Sequence, residues 1–128
     1  MPRTARTTPV TKKPAAKASK LRFAVIGAGH IAQNAVLPGF ANARKTCELV
    51  AIFSSDPKKR RALAKQYALD MVLEYEEFER ASDDFDAVYI ATPNSEHRAW
   101  VERAAKSGKH VLCEKPMATS SEDCQAMI

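Results

Sequence analysis

No two cysteines in this 128-residue chain are spaced to hold a metal. Cys47, Cys113 and Cys124 form no Cys-x-x-Cys, and an odd number of them closes no disulfide framework. They read as reduced, structural thiols of a cytoplasmic protein. His30, His97 and His110 are scattered without a His-x-x-His pattern, so no metal site is expected. Long apolar runs are also missing, which excludes a transmembrane helix of the usual length. The N-terminus lacks the apolar centre of a secretory signal, and Pro2, Pro9 and Pro14 oppose the amphipathic helix of a mitochondrial presequence.

Acid is absent from residues 1–22, which carry seven basic residues: Arg3, Arg6, Lys12, Lys13, Lys17, Lys20 and Arg22. Of the 20 Lys and Arg, 13 then remain against all 15 Asp and Glu, so the formal charge of +5 belongs to the tail and not to the body. That tail is rich in Thr, Ala, Lys and Pro and has almost nothing large to bury, so residues 1–20 are expected to be disordered. A basic arm of this kind attracts nucleic acid through counterion release. No aromatics interleave with its charges, however, and a solubilising extension is the preferred reading.

What is present starts at residue 22. An apolar, β-rich run, Phe23 to Ile26, leads directly into Gly27-Ala28-Gly29-His30-Ile31-Ala32. Strand, tight glycine turn and helix start, in that order, form the dinucleotide-binding fingerprint. Gly27 permits the sharp turn, Gly29 leaves the backbone bare for a pyrophosphate, and Ala32 lets the helix lie close to the strand. Free N–H groups at the helix start then face the phosphates.

Apolar runs and helical patterns alternate from there. Strands are expected at residues 22–26, 48–53, 71–73, 86–91 and 110–113. Helices are expected from Ile31 to about Ala43, where Pro38 kinks or shortens the helix, and from Pro57 to about Tyr67, capped by Asp56. A short helix covers 76–80. Another, capped by Asn94 or Ser95, runs to about Lys106 and stops at Gly108, and a last one is capped by Ser120 or Ser121. This rhythm specifies an α/β fold: a doubly wound, Rossmann-type parallel sheet covered on both faces. Its ligand belongs beyond the carboxyl ends of the strands, at Gly27–His30, Ser54–Asp56, Thr92–Asn94 and Glu114-Lys115-Pro116.

The second strand end separates the two nicotinamide dinucleotides. An NAD site places a carboxylate there; this chain offers Ser54 and Ser55, with Lys58 or Lys59 to add charge. That favours the 2′-phosphate of NADP, with NAD as the alternative. Asp56 serves equally well as an ordinary helix cap. At the last strand end Lys115 precedes Pro116. A lysine held near a nicotinamide stabilises a developing alkoxide or relays a proton, although alone such a lysine is more often a surface charge or a salt-bridge partner.

Gly-Ala-Gly-His-Ile-Ala, then Asp-Ala-Val-Tyr-Ile-Ala-Thr-Pro-Asn-Ser-Glu-His, then Glu-Lys-Pro-Met-Ala, in this order and spacing, resemble the Gfo/Idh/MocA oxidoreductases. The glucose–fructose oxidoreductase-like and NADP-dependent sugar dehydrogenase branches are nearest. The resemblance spans residues 21–128. It implies a cofactor lying over Gly27, Ala28, Gly29, His30 and Ile31 and against Ser54, Ser55 and Lys59, with Thr92, Pro93 and Asn94 along its adenosine and nicotinamide side. It implies that His97 opens the next helix, as a cofactor neighbour or a structural residue, and that Glu114 and Lys115 belong to a Glu-Lys-Pro motif whose lysine meets nicotinamide and substrate. The activity implied is hydride transfer between nicotinamide and a carbinol carbon of a sugar or polyol. A non-catalytic, cofactor-sensing regulator on the same fold is the alternative, and the intact Lys115 speaks for the enzyme.

Members of this family carry a second, larger α/β domain that walls the substrate and through which copies assemble as homo-oligomers. The present chain ends in a helical pattern (Cys124, Met127, Ile128) without that domain. It is therefore expected to be a truncated dinucleotide-binding domain, inactive alone.

Overall fold

In this computed structural model residues 20–128 are described. The expectation of a disordered tail over residues 1–20 lies, except for Lys20, outside the described residues. Five strands form one parallel sheet in the order β3-β2-β1-β4-β5: β1 (Leu21–Ile26), β2 (Cys47–Phe53), β3 (Met71–Leu73), β4 (Ala87–Ile90) and β5 (His110–Cys113). Chain order reverses beside β1, where β2 lies on one flank and β4 on the other. That reversal opens a crevice at the carboxyl edge of the sheet.

Strand alternation sorts the apolar side chains into two cores. Ala24, Ile26, Ala51, Phe53, Val88 and Ile90 face one side, where they pack with Phe78, Phe85 and Trp100. Val25 and Ile52 face the other, with Ala28, Ala32, Leu37 and Leu63. Ala32, fully buried, is the small residue that lets the first helix lie on the strands. Phe53, Phe78 and Phe85 meet at ring-centroid distances of 5.5–6.1 Å, favourable for tilted and edge-on contacts.

Local chemistry sets most boundaries. Helix α2 (Pro57–Tyr67) starts at Asp56, whose carboxylate accepts the N–H groups of Lys58 (2.9 Å) and Lys59 (3.3 Å). Those bonds hold the Asp56 carboxyl below its ordinary range. Helix α5 (Ser121–Met127) is capped by Ser120, which accepts from the Asp123 N–H at 3.1 Å. Gly108, at φ +74°, ends the turn after α4 (His97–Lys106), a left-handed conformation that glycine adopts without penalty.

Three expectations are corrected. Pro38 does not shorten the first helix: helical turns run on through 30–42, with a π turn at Ala32–Val36 ahead of α1 (Leu37–Asn42). The Leu37 N–H reaches back to Ala32, and this wider turn accommodates the proline that follows. Neither Asn94 nor Ser95 caps α4. The residue with extended backbone is Pro93, which has no polar side chain, and its carbonyl accepts from the Glu96 N–H (2.9 Å) to make a 3₁₀ turn of Asn94–Glu96. The third correction concerns cover. Tyr89 is half-buried and Leu112 is 54% exposed, so one face of β4 and β5 borders an open apolar groove of about 330 Å³ with Phe23, Phe40 and Val36. The first helix walls this groove, and Leu63 of the 57–67 helix packs against the β2 side of the same face.

A short helix α3 (Phe78–Ala81), between 3₁₀ turns, carries the chain from β3 to β4. At the far end of the sheet from the crevice, Arg22 grips Asp86. Its Nη2 donates to Oδ1 at 2.8 Å, and its Nε and backbone N–H donate to Oδ2 at 3.2 and 2.9 Å. These bonds pull the Asp86 carboxyl from 3.8 down to about 2. A carboxyl more acidic in the folded than the unfolded chain adds stability above its unfolded value, lost as the pH falls towards the folded one. Denaturation profiles are therefore expected to show a loss of stability between pH 4 and about 2 that Asp86→Asn removes. Identical acid profiles for the two proteins would contradict this.

Candidate dinucleotide site

Each loop at the carboxyl edge leaves its strand in register. The Gly27 N–H donates to Phe53 (2.9 Å), Ala91 to Ile26 (2.8 Å), Ser54 to Leu73 (3.0 Å) and Glu114 to Ile90 (2.9 Å). The loops thus begin from a fixed frame and not from free strand ends. Between them lies a groove of about 390 Å³, lined by Gly27, Ala28, Gly29, His30, Ile31, Ser54, Ser55, Asp56, Lys59, Tyr75, Ala91, Thr92 and Pro93. Ten positions singled out in the sequence meet there: 27–31, 54, 55, 59, 92 and 93.

The two glycines of the turn do different things. Gly27 sits at φ +100°, and a Cβ on it would lie 2.8 Å from the Ala91 carbonyl oxygen. A Cβ on Gly29 would meet no atom within 4 Å. Gly27 is required by the protein; Gly29 is bare because the space beside it is open. The following turns start with the Gln33 N–H on the Gly29 carbonyl (3.0 Å), while the Gln33 side chain donates to the Ala28 carbonyl (2.7 Å).

At the β2 end, Ser54 is buried and its hydroxyl accepts from the Asp56 N–H at 3.2 Å. The Ser54 carbonyl takes the Arg60 guanidinium at 2.7 Å. Ser55 and Lys59 are exposed and turned to the groove. Asp56, the one carboxylate on the rim, is occupied as the α2 cap. Arg60 and Tyr75 were not foreseen. Tyr75 stands just past β3, and the rule that picks residues beyond strand ends, applied to the 71–73 strand, points to it. Its ring stacks against Trp100 at 5.2 Å, and burial raises its phenol above the ordinary range.

Thr92 is the electrostatic oddity of the site. It is 6% exposed, and its hydroxyl has no hydrogen-bond partner among the described residues. A buried hydroxyl without a partner costs about 1–3 kcal/mol. Thr92→Val keeps the shape and removes that penalty, so it is expected to stabilise the ligand-free chain by about 1 kcal/mol. Chemical denaturation measures the effect; a destabilised variant would mean that the hydroxyl is already satisfied.

The remaining positions lie apart from the groove. Asn94 is exposed beyond Pro93. His97 is fully buried, its ring set between backbone carbonyls. Glu114 accepts the Tyr89 hydroxyl at 2.7 Å, which holds its carboxyl below the ordinary range. Burial first, and then Glu114, push the Tyr89 phenol up to about 12. Lys115 follows β5 at the same sheet edge, exposed, with a cis bond to Pro116, beside a separate groove lined by Val101, Val111, Cys113, Met117 and Met127. Among the described residues no group of three or more His, Cys, Asp or Glu is placed to hold a metal, and no helix is long and apolar enough to cross a membrane.

Residues 21–128 match the oxidoreductase family with an NAD-binding Rossmann fold, GFO/IDH/MocA. The chain belongs to this family. D-xylose 1-dehydrogenase [NADP(+)] of Haloarcula marismortui is 40% identical over 111 residues, covering 84% of this chain and 31% of its own. Among solved structures, the aldose-aldose oxidoreductase of Caulobacter crescentus complexed with glycerol superposes with a TM-score of 0.80 at 43% identity, covering 85% of this chain and 33% of its own. The WlbA dehydrogenase of Bordetella pertussis, complexed with NADH and UDP-GlcNAcA, gives 0.77 at 31% identity and the same coverage. This GFO/IDH/MocA chain thus spans about a third of the length of these relatives. The superposition with the two solved structures covers 85% of this chain.

Proposed function

We propose that residues 21–128 bind NADP and serve as the dinucleotide-binding part of an oxidoreductase acting on a sugar or polyol. The observation that carries this reading is the groove, which joins a glycine turn open at Gly29 to an uncharged strand end with a lysine beside it. These residues fit the cofactor. Backbone N–H groups at the start of the 30–42 helix face a pyrophosphate. The bare Gly29 leaves room for that group, and Ala91, Thr92 and Pro93 wall the same groove. Ser55 would donate to a 2′-phosphate, and Lys59 would neutralise it.

When bound, the nicotinamide supplies the hydride acceptor or donor. The chain's own part is to orient the dinucleotide along the carboxyl edge and to present Lys115. A lysine amine beside a carbinol oxygen would take the hydroxyl proton as hydride leaves the carbon, and in the reverse direction its ammonium would stabilise and protonate the alkoxide that forms as hydride arrives at the carbonyl. Support for this chemistry also comes from relatives named as an NADP(+) D-xylose 1-dehydrogenase and an aldose-aldose oxidoreductase. Those names also support a sugar-like substrate for the reaction proposed here.

Fluorescence titration of the chain with NADPH and NADH tests the cofactor assignment. NADPH is expected to bind roughly tenfold more tightly, and Lys59→Glu to reverse the order. Tighter NADH binding by the wild-type chain would overturn the assignment to NADP.

A further inference from the structure

Between β5 and α5 the chain runs through residues 114–120 without regular secondary structure, and Lys115 lies in that stretch. Its ammonium makes no ion pair or hydrogen bond among the described residues. A lysine on an irregular loop is a poor reagent, because its side chain samples many rotamers and the loop adds more freedom. The backbone on either side of Lys115 is nevertheless fastened.

Upstream, Glu114 is the anchor. Its backbone N–H donates to Ile90 at 2.9 Å, its Oε2 accepts the Tyr89 hydroxyl at 2.7 Å, and its Oε1 accepts the Lys115 N–H at 3.2 Å. Downstream, the anchor is His97, the first residue of α4 and fully buried. His97 Nδ1 lies 2.9 Å from the Pro116 carbonyl oxygen and 3.3 Å from that of Met117. His97 Nε2 lies 3.0 Å from the Thr92 carbonyl oxygen. One buried ring therefore joins a residue lining the dinucleotide groove to two residues that directly follow Lys115. Carbonyls only accept, so the ring holds each by donating: either neutral tautomer grips one loop, and the doubly protonated ring grips both. No other side chain of the described residues bridges these two segments.

We propose that His97 and Tyr89 are positioning residues for Lys115. His97 couples the Thr92 wall of the dinucleotide groove to the Lys115–Met117 loop, and Tyr89 pins that loop at Glu114. Occupation of the groove then fixes where the Lys115 ammonium stands, although neither positioning residue touches the cofactor. The coupling rests on the NADP reading above, whereas the bracing itself does not. Buried polar networks of this kind are effective only when fully satisfied, so removing one member frees the segment it held.

The test uses the 128-residue chain and its His97→Leu, His97→Gln and Tyr89→Phe variants. Circular dichroism confirms that each is folded. Should His97→Leu fail to fold, His97→Gln, which keeps one donor, and Tyr89→Phe, which loses only a hydroxyl, carry the comparison. Without cofactor, ¹⁵N relaxation at the Lys115 and Met117 amides is expected to report added fast motion: at both in the His97 variants, and chiefly at Lys115 in Tyr89→Phe. With saturating NADPH, acylation of Lys115 read by mass spectrometry is expected to slow roughly tenfold in the wild type. In the His97 variants most of that protection is lost, while the NADPH dissociation constant moves less than about threefold.

Unchanged relaxation in folded His97 variants overturns the brace. Full protection of Lys115 in those variants, or none in a wild-type chain that binds NADPH, overturns the coupling. A wild-type chain that binds no NADPH overturns the cofactor reading and the coupling with it. The relaxation data still decide the brace in that case.

Discussion

Gly29→Val is expected to leave the fold unchanged and to weaken NADPH binding at least tenfold, about 1.4 kcal/mol. A Cβ at this position meets no protein atom within 4 Å, and Gly29 is not at positive φ, so the chain itself does not need glycine there. The added isopropyl group projects into the space assigned to the pyrophosphate and separates it from the backbone N–H groups. Melting temperature and NADPH titration measured together decide the matter. A variant that melts normally and binds normally would show that the dinucleotide does not pass over Gly29.

The neighbouring glycine gives the opposite result. Gly27→Ala is expected to destabilise the chain by about 3 kcal/mol, from a left-handed backbone and a forced contact together. Its Cβ would lie 2.8 Å from the Ala91 carbonyl oxygen and 3.0 Å from the Thr92 nitrogen, both backbone atoms. Relief requires β1 and β4 to part where the Ala91 N–H bonds to Ile26. Urea denaturation measures the loss, which is a large share of a typical domain's stability. Unaltered stability would show that the turn relaxes to a different backbone. Two glycine replacements two residues apart therefore separate folding from binding.

How much of this was legible follows from the range of each interaction. The β1 turn, the Asp56-Pro57 start, the Ser120 cap and the Gly108 stop are all written within about four residues, and the structure realises each of them. The strand ends were readable as well, because residues that follow an apolar run in a parallel sheet share one edge. The π turn at Ala32–Val36 was not, since it depends on how a helix absorbs Pro38 while keeping Leu37 buried. Asn94 and Ser95 have good capping side chains, but their backbone was already committed to the turn behind Pro93. His97 was the least legible of all. Its partners, Pro116 and Met117, are 19 and 20 residues away, and only the packing of α4 beside the β5 end brings them to the ring.

The groove divides its labour unevenly. The glycine turn, the helix start and the Ala91–Pro93 wall treat every dinucleotide alike, because they offer backbone and small side chains. On the proposed NADP reading, discrimination falls to one short loop, where Ser55 and Lys59 face the groove and Asp56 and Arg60 hold the backbone in place. Choice of coenzyme pool is thereby uncoupled from the integrity of the fold. An NADP(+)-named dehydrogenase and a complex with NADH both stand among the relatives of this sheet.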